Sequence, residues 1–194
     1  MKRVLFFGLL ASVAFSACKK SSTTNQSATD ISGIKTISVA FDQLASQPFT
    51  LFRFSDSSVI ANTDSASNSW DFGIRFTTFI VNSYAGGPGN AGVIMQNNIF
   101  DSVKSAPTSG YAYDTTSAQR AIKDGSWYTY NSQSHVFVPK AGKVFIFKTA
   151  DGSHYAKMEL LSVENGPVVP PAQTPTILYY TFRYSYKADG STTF

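Results

Sequence analysis

Between residues 69 and 98, alternating apolar and polar residues lead into a glycine-rich turn and out into a second apolar run, and the rest of the chain reads as sheet added around this stretch. Trp70, Phe72, Ile74 and Phe76 fall on one face and Asp71, Gly73, Arg75 and Thr77 on the other, the period of two expected of a half-buried strand with its aromatic face in the core. Further strands are expected where Ile37, Val39 and Phe41 alternate with polar residues, over residues 49–54 after Pro48, over 93–100, and in short pieces at 127–130 and 136–138. Residues 144–149 and 154–163 flank Ala150-Asp151-Gly152-Ser153, a hairpin signal. In the last strand, residues 177–186, Leu178, Tyr180, Phe182, Tyr184 and Tyr186 share a face. Residues 115–124 are the only stretch that reads as helix, with Thr116 or Ser117 as cap and Gly125 as stop. The pattern therefore predicts an all-β fold: a single antiparallel-rich β domain over residues 34–194 with one short helix at most. Residues 85–92 hold four glycines, so this backbone can approach another chain segment or a ligand closely. They lack the lysine and following helix of a phosphate-binding loop.

The first residues read as an address. Lys2 and Arg3 precede a short apolar run, and Ala17 stands before Cys18, the single cysteine of the chain, in the spacing of a lipoprotein processing site. The expectation is a signal peptide over residues 1–17 and lipidation at Cys18; the plainer reading is an ordinary signal peptide with an incidental cysteine. Residues 18–33, Lys19-Lys20 and then a polar run, are expected to be a flexible tether. One cysteine excludes a disulfide within the chain and any cysteine-rich metal site.

Composition adds little function of its own. The formal charge of +4 falls close to neutral once Lys2 and Arg3 are removed, and no basic cluster sits on an aromatic platform, so no nucleic-acid partner is expected. The chemistry available is sparse. Two histidines, His135 and His154, are present, and His154 beside the Asp151-Gly152 turn reads as a solvated hairpin residue. Asp71 reads as a charge pair with Arg75, and Glu159 as one with Lys157. No pair of carboxylates has the spacing of an acid/base couple, so the chain is not expected to be an enzyme. Met95 and Met158 lie inside predicted strands and read as core fillers. Tyr111, Tyr113, Trp127, Tyr128 and Tyr130 are close in sequence and are candidates for an aromatic wall lining a ligand cleft.

Trp70-Asp71-Phe72-Gly73-Ile74, Asn82-Ser83 and the run from Gly86 to Gly92 together resemble the core motif of the HmuY family, surface lipoproteins of Gram-negative bacteria whose best-known member captures haem. Residues 143–152, Tyr155-Ala156-Lys157 and residues 180–184 are similar to that family's closing strands. The resemblance implies a HmuY-like β domain, a membrane anchor through the N-terminal lipid, an outer-membrane location on either its surface or its periplasmic face, and capture of haem or a porphyrin for a TonB-dependent outer-membrane receptor. It also implies axial ligands, which are two histidines in the haem-capturing member, one of them in an insertion before a tryptophan. Here the corresponding stretch, residues 112–126, contains no histidine or methionine, so the first ligand has no counterpart. His135, a few residues beyond Trp127, is the nearest candidate for the second; its alternative is an ordinary loop histidine. The other functional reading is the same fold holding a different apolar or peptide ligand.

Overall fold

A computed structural model describes residues 29–41 and 46–194. The expected signal peptide, Cys18 and most of the expected tether lie outside them. Eleven strands form among the described residues: β1 Ile31–Ala40, β2 Thr50–Arg53, β3 Ser58–Ile60, β4 Phe72–Arg75, β5 Thr78–Val81, β6 Gly92–Asn97, β7 Tyr128–Asn131, β8 Val136–Pro139, β9 Lys143–Lys148, β10 Tyr155–Asn165 and β11 Ile177–Lys187. They build a five-stranded sheet in the order β1-β11-β10-β9-β6, a four-stranded sheet in the order β3-β2-β4-β5, and the hairpin β7-β8. Every pairing is antiparallel.

The two larger sheets face each other across an aromatic core. β11 alternates buried and half-buried residues along its whole length, and its inward Tyr180, Phe182 and Tyr184 meet Phe52, Phe54, Phe72 and Phe79 of the opposite sheet. Edge-to-face contacts predominate across this seam, as between Phe52 and Phe182 at 5.2 Å and 89°, an arrangement favoured by the ring quadrupoles. The hairpin β9-β10 forms as its sequence predicts, with Tyr155 opposite Lys148. β1 begins at Ile31, inside the stretch expected as tether, because Asp30 accepts the Ala188 N–H and pairs with Lys187 at the end of β11.

Several expectations need correction. The alternating run at residues 70–77 is not one strand. The chain reverses at Phe76-Thr77 to make the hairpin β4-β5, and Trp70 packs with Leu51, Ile60 and Ile80 on the outer face of the sheet, away from Phe72. Asp71 is not paired with Arg75. It is buried, and its carboxylate accepts the Phe54 N–H and the Ala150 N–H, both at 2.8 Å, tying the end of β2 to the β9-β10 turn of the other sheet. Residues 115–124 form bends and no helix. The cause is Asp114, whose buried carboxylate takes the N–H groups of Val81 (3.1 Å) and Ala121 (2.8 Å) together with Arg120, so a donor that a helix would need is spent on a side chain.

The glycine loop packs against its own chain. Asn82, fully buried, donates to the carbonyls of Ser67 and Trp70 and accepts the Gly89 N–H, and the bridge between Ser83 and Asn90 closes the loop. A Cβ at Gly86 would lie 2.0 Å from the Val81 carbonyl oxygen, so the loop's freedom is spent on close approach to the backbone.

Glu159 also has a different partner from the one expected. It lies opposite Arg183 in the register and pairs with it at 2.7 Å, while Lys157 is buried and donates to the carbonyls of Phe100 and Val103 at 3.0 and 2.8 Å beneath the rings of Phe100 and Phe194. Burial pulls the Lys157 ammonium below the usual lysine range, against the opposing charge of Asp101. Lys157→Met keeps the stem and removes both charge-assisted bonds. Urea unfolding should report a loss of about 1–3 kcal/mol, and an unchanged midpoint would refute the role of these bonds in holding residues 100–103 to the sheet.

Candidate functional site

The hairpin β7-β8 closes one end of the sandwich, and between it and the β4-β5 turn lies a groove of about 420 Å³. Its wall consists of Phe41, Phe76, Tyr128, Tyr130, His135 and Phe137, with Thr77 and Asp124 at the edge. The rings interlock: Phe76 meets Phe41 at 5.5 Å and Phe137 at 5.1 Å, both edge to face, and Phe137 in turn meets Tyr128 at 5.2 Å and Tyr130 at 5.1 Å.

Two of the lining residues are set by backbone in the left-handed region, Phe76 at φ 51° and His135 at φ 54°. For His135 the turn supplies the reason, since the Asn131 side chain accepts the N–H groups of Gln133 and Ser134 and folds the loop so that its last residue turns left-handed. Phe76 occupies the first position of a two-residue hairpin turn, where glycine is favoured and a bulky residue is strained. Buried groups hold it there. The Tyr180 hydroxyl donates to the Phe76 carbonyl at 2.6 Å, and the Trp127 indole donates to the Thr77 carbonyl at 3.3 Å.

The five aromatic residues expected to form one wall are thus divided. Tyr128 and Tyr130 line the groove. Trp127 does not: it is 1% exposed and belongs to the core, where it meets Phe79 edge to face and Tyr180 at a tilt and anchors the turn. Tyr111 lies elsewhere, beside Tyr155 with its hydroxyl donated to the Pro107 carbonyl, and Tyr113 pairs with Tyr84. They part because the chain between Tyr113 and Trp127 is drawn inward by Asp114, which separates the two halves of the cluster. Sequence reading missed Phe41, Phe76 and Phe137 as lining. The available signal was Phe76-Thr77-Thr78-Phe79, two aromatic residues around two threonines, which breaks the period of two and marks a turn.

His135 is exposed, and the Tyr130 hydroxyl is hydrogen-bonded to its Nδ1 at 2.7 Å. With Nδ1 engaged, the ring's orientation is set and Nε2 is the nitrogen that remains for another partner. The Tyr128 hydroxyl donates to Asp124 at 3.0 Å, and burial pushes that phenol above its ordinary range, so it stays neutral around pH 7.

Comparison with known proteins gives one partial likeness. No family model matches the chain, and no curated protein matches it. Among solved structures, the crystal structure of the apo HmuY analog of Tannerella forsythia is similar over 82% of this chain and 97% of that one, with 14% sequence identity and a TM-score of 0.48. At that level it assigns neither a family nor a ligand.

The other histidine is at the opposite end of the sheet. His154 follows the β9-β10 turn and faces Tyr186, which lies six residues along β11 from the Tyr180 beneath the groove. Its Nδ1 contacts both Asp151 Oδ2 (2.5 Å) and Ser153 Oγ (3.1 Å). A nucleophilic triad needs the carboxylate and the hydroxyl on different ring nitrogens, so Ser153, His154 and Asp151 do not form one. Met158 is fully buried and Met95 packs against the core, both as expected. Among the described residues no group of three or more His, Cys, Asp or Glu side chains could hold a metal ion, and no helix is long and apolar enough to cross a membrane.

Proposed function

We propose that the protein is a lipid-anchored binding module of the cell envelope, with Cys18 as its anchor, and that the groove between the β4-β5 turn and the β7-β8 hairpin captures a flat apolar ligand. Haem, or a related porphyrin, is the ligand this reading favours, in keeping with the resemblance of the Trp70 and Gly86 motifs to the HmuY family. The observation that carries it is the juxtaposition on one groove of interlocked aromatic rings and a single imidazole whose Nδ1 is held by Tyr130.

His135 Nε2 would be the iron ligand, and Phe41, Phe76, Tyr128 and Phe137 would supply the apolar contacts to the macrocycle. A second histidine does not fit, because His154 stands at the far end of the sheet and Met158 is sealed in the core. The protein thus offers one axial ligand. Bound haem would supply redox-active iron; the chain's part is to stack against the ring, exclude water from its faces and present Nε2. The role is binding and delivery, with no catalysis, and a TonB-dependent outer-membrane receptor is the acceptor that fits an anchored carrier.

Haemin added to the full mature chain should give a saturable Soret shift at one equivalent, and His135→Ala should abolish the shift and weaken binding by about tenfold or more. Metal-free protoporphyrin IX separates the groove from the ligand bond: it should bind wild type and His135→Ala alike. Protoporphyrin binding without a haemin Soret shift would favour the other reading, an apolar ligand that uses no axial bond, which the lack of a second ligand supports. Binding of neither would overturn the reading that the groove takes haem or a porphyrin.

A further inference from the structure

A second concavity, distinct from the haem-site groove, lies over the glycine loop. Ser83 and Gly86 are joined by a hydrogen bond from Gly86 N–H to the Ser83 carbonyl (2.8 Å), and Tyr84 occupies the first central position of that turn at φ 45°. This is a position that glycine fills without strain and a tyrosine fills only at a cost. Folding recovers little of that cost, because Tyr84 is the most exposed of the large hydrophobic residues among the described residues, at 73%. Its ring meets Tyr113 edge to face at 5.9 Å, and Tyr113 is itself fixed, packed so closely over Gly92 that a Cβ there would lie 2.8 Å from its ring. The pair borders a groove of about 400 Å³ whose other side chains are those of Pro88, Asn90, Ser83 and Lys148.

The lining selects among ligands. It has no carboxylate, and its Lys148 is in no ion pair among the described residues. One ammonium is too little for a polyanion, and Pro88 is the single aliphatic side chain of the lining, too little to grip a lipid tail or the alternate residues of a peptide. An aromatic plane flanked by an amide, a hydroxyl and an ammonium matches a sugar, which has an apolar C–H face and a polar hydroxyl edge. We infer that the groove over residues 83–90 is a saccharide-binding site in which a sugar ring lies on the exposed face of Tyr84, braced edge to face by Tyr113, and its hydroxyls bond to Asn90 and Lys148. A strained, exposed tyrosine is the mark of a residue kept for contact with something outside the chain.

The test uses the full mature chain titrated separately with maltohexaose, cellohexaose and chitohexaose, followed by tyrosine fluorescence and by the NMR signals of Tyr84 and Tyr113. At least one of the three should give saturable binding in the millimolar range or tighter, with those two signals moving most. Tyr84→Asn should weaken it by about tenfold or more, while its Tm holds or rises by up to about 2–4 °C as the left-handed position is relieved. Haemin binding should be the same in both proteins. No saturable binding with any of the three sugars, equal binding by Tyr84→Asn, or a Tm several degrees lower in that variant would each overturn the inference, the last by placing the ring in the service of the fold.

Discussion

Asp71→Ala is expected to cost about 3–5 kcal/mol and to lower the Tm by on the order of 10 °C. The carboxylate bridges the two sheets through the N–H groups of Phe54 and Ala150, both buried, and alanine would leave each without an acceptor. An unsatisfied buried donor costs about 1–3 kcal/mol, so two of them, with the small void, account for the figure. Asp71→Asn should recover part of the loss: its carbonyl can accept one N–H while its amide group meets the other, donor against donor. Burial pushes the Asp71 carboxyl up to about 6, against the opposing pull of its two donors. Because the folded protein binds this proton more tightly than the unfolded chain does, the stability it contributes is complete below about pH 4 and is lost as pH rises towards 6. Urea midpoints from pH 4 to 7 should show that decline in wild type, and the Asp71→Asn protein should show less of it, the remainder belonging to Asp114, whose carboxyl burial also raises. A slope undiminished in the variant would assign the titration to another group.

Gly86→Ala should be as damaging for a different reason. Its added Cβ would lie 2.0 Å from the Val81 carbonyl oxygen and 2.8 Å from Asp114 Oδ2, and neither can yield: the first is backbone, and the second is held by Val81, Ala121 and Arg120. Backbone displacement in this loop would also pull on Asn82, whose bonds to Ser67, Trp70 and Gly89 close it. A loss of about 3–5 kcal/mol, or failure to accumulate folded protein, is expected. Gly33→Ala is the matching control. Nothing lies within 4 Å of a Cβ at that position, so urea unfolding should place it within about 0.5 kcal/mol of wild type. Similar losses at both positions would refute the steric account.

These two residues also explain what the resemblance motif is for. Asp71 joins the sheets, and Gly86 and Asn82 lock the loop to them, so these residues of the stretch that resembles the HmuY family are framework, while Ser83, Pro88 and Asn90 of the same stretch line the second groove. The candidate haem site is built from other parts. Tyr128, Tyr130 and His135 were visible as a local aromatic cluster with a histidine beyond it, because all three lie within one short hairpin. Phe41 and Phe76 were not, since they are brought to that hairpin only by the pairing of β1 with β11 and by the reversal at Phe76-Thr77. Trp127 was assigned to the wall on its neighbours' account, and its own burial under the β4-β5 turn is a long-range fact.

By itself, the sequence determined the β class of the domain, the long alternating strand β11 and the β9-β10 hairpin, since alternation and turn residues act between neighbours in the chain and report which face will be buried. It left open what each polar residue in that pattern would bind. Asp71 and Lys157 read locally as halves of near-neighbour charge pairs and Asp114 carried no local signal at all, yet their partners lie 79, 57 and 33 residues away at Ala150, Phe100 and Val81. Only the tertiary structure decided those pairings, and with them the absence of a helix at residues 115–124 and the shape of both grooves, because a buried donor must be satisfied by whichever acceptor the packed sheets bring to it.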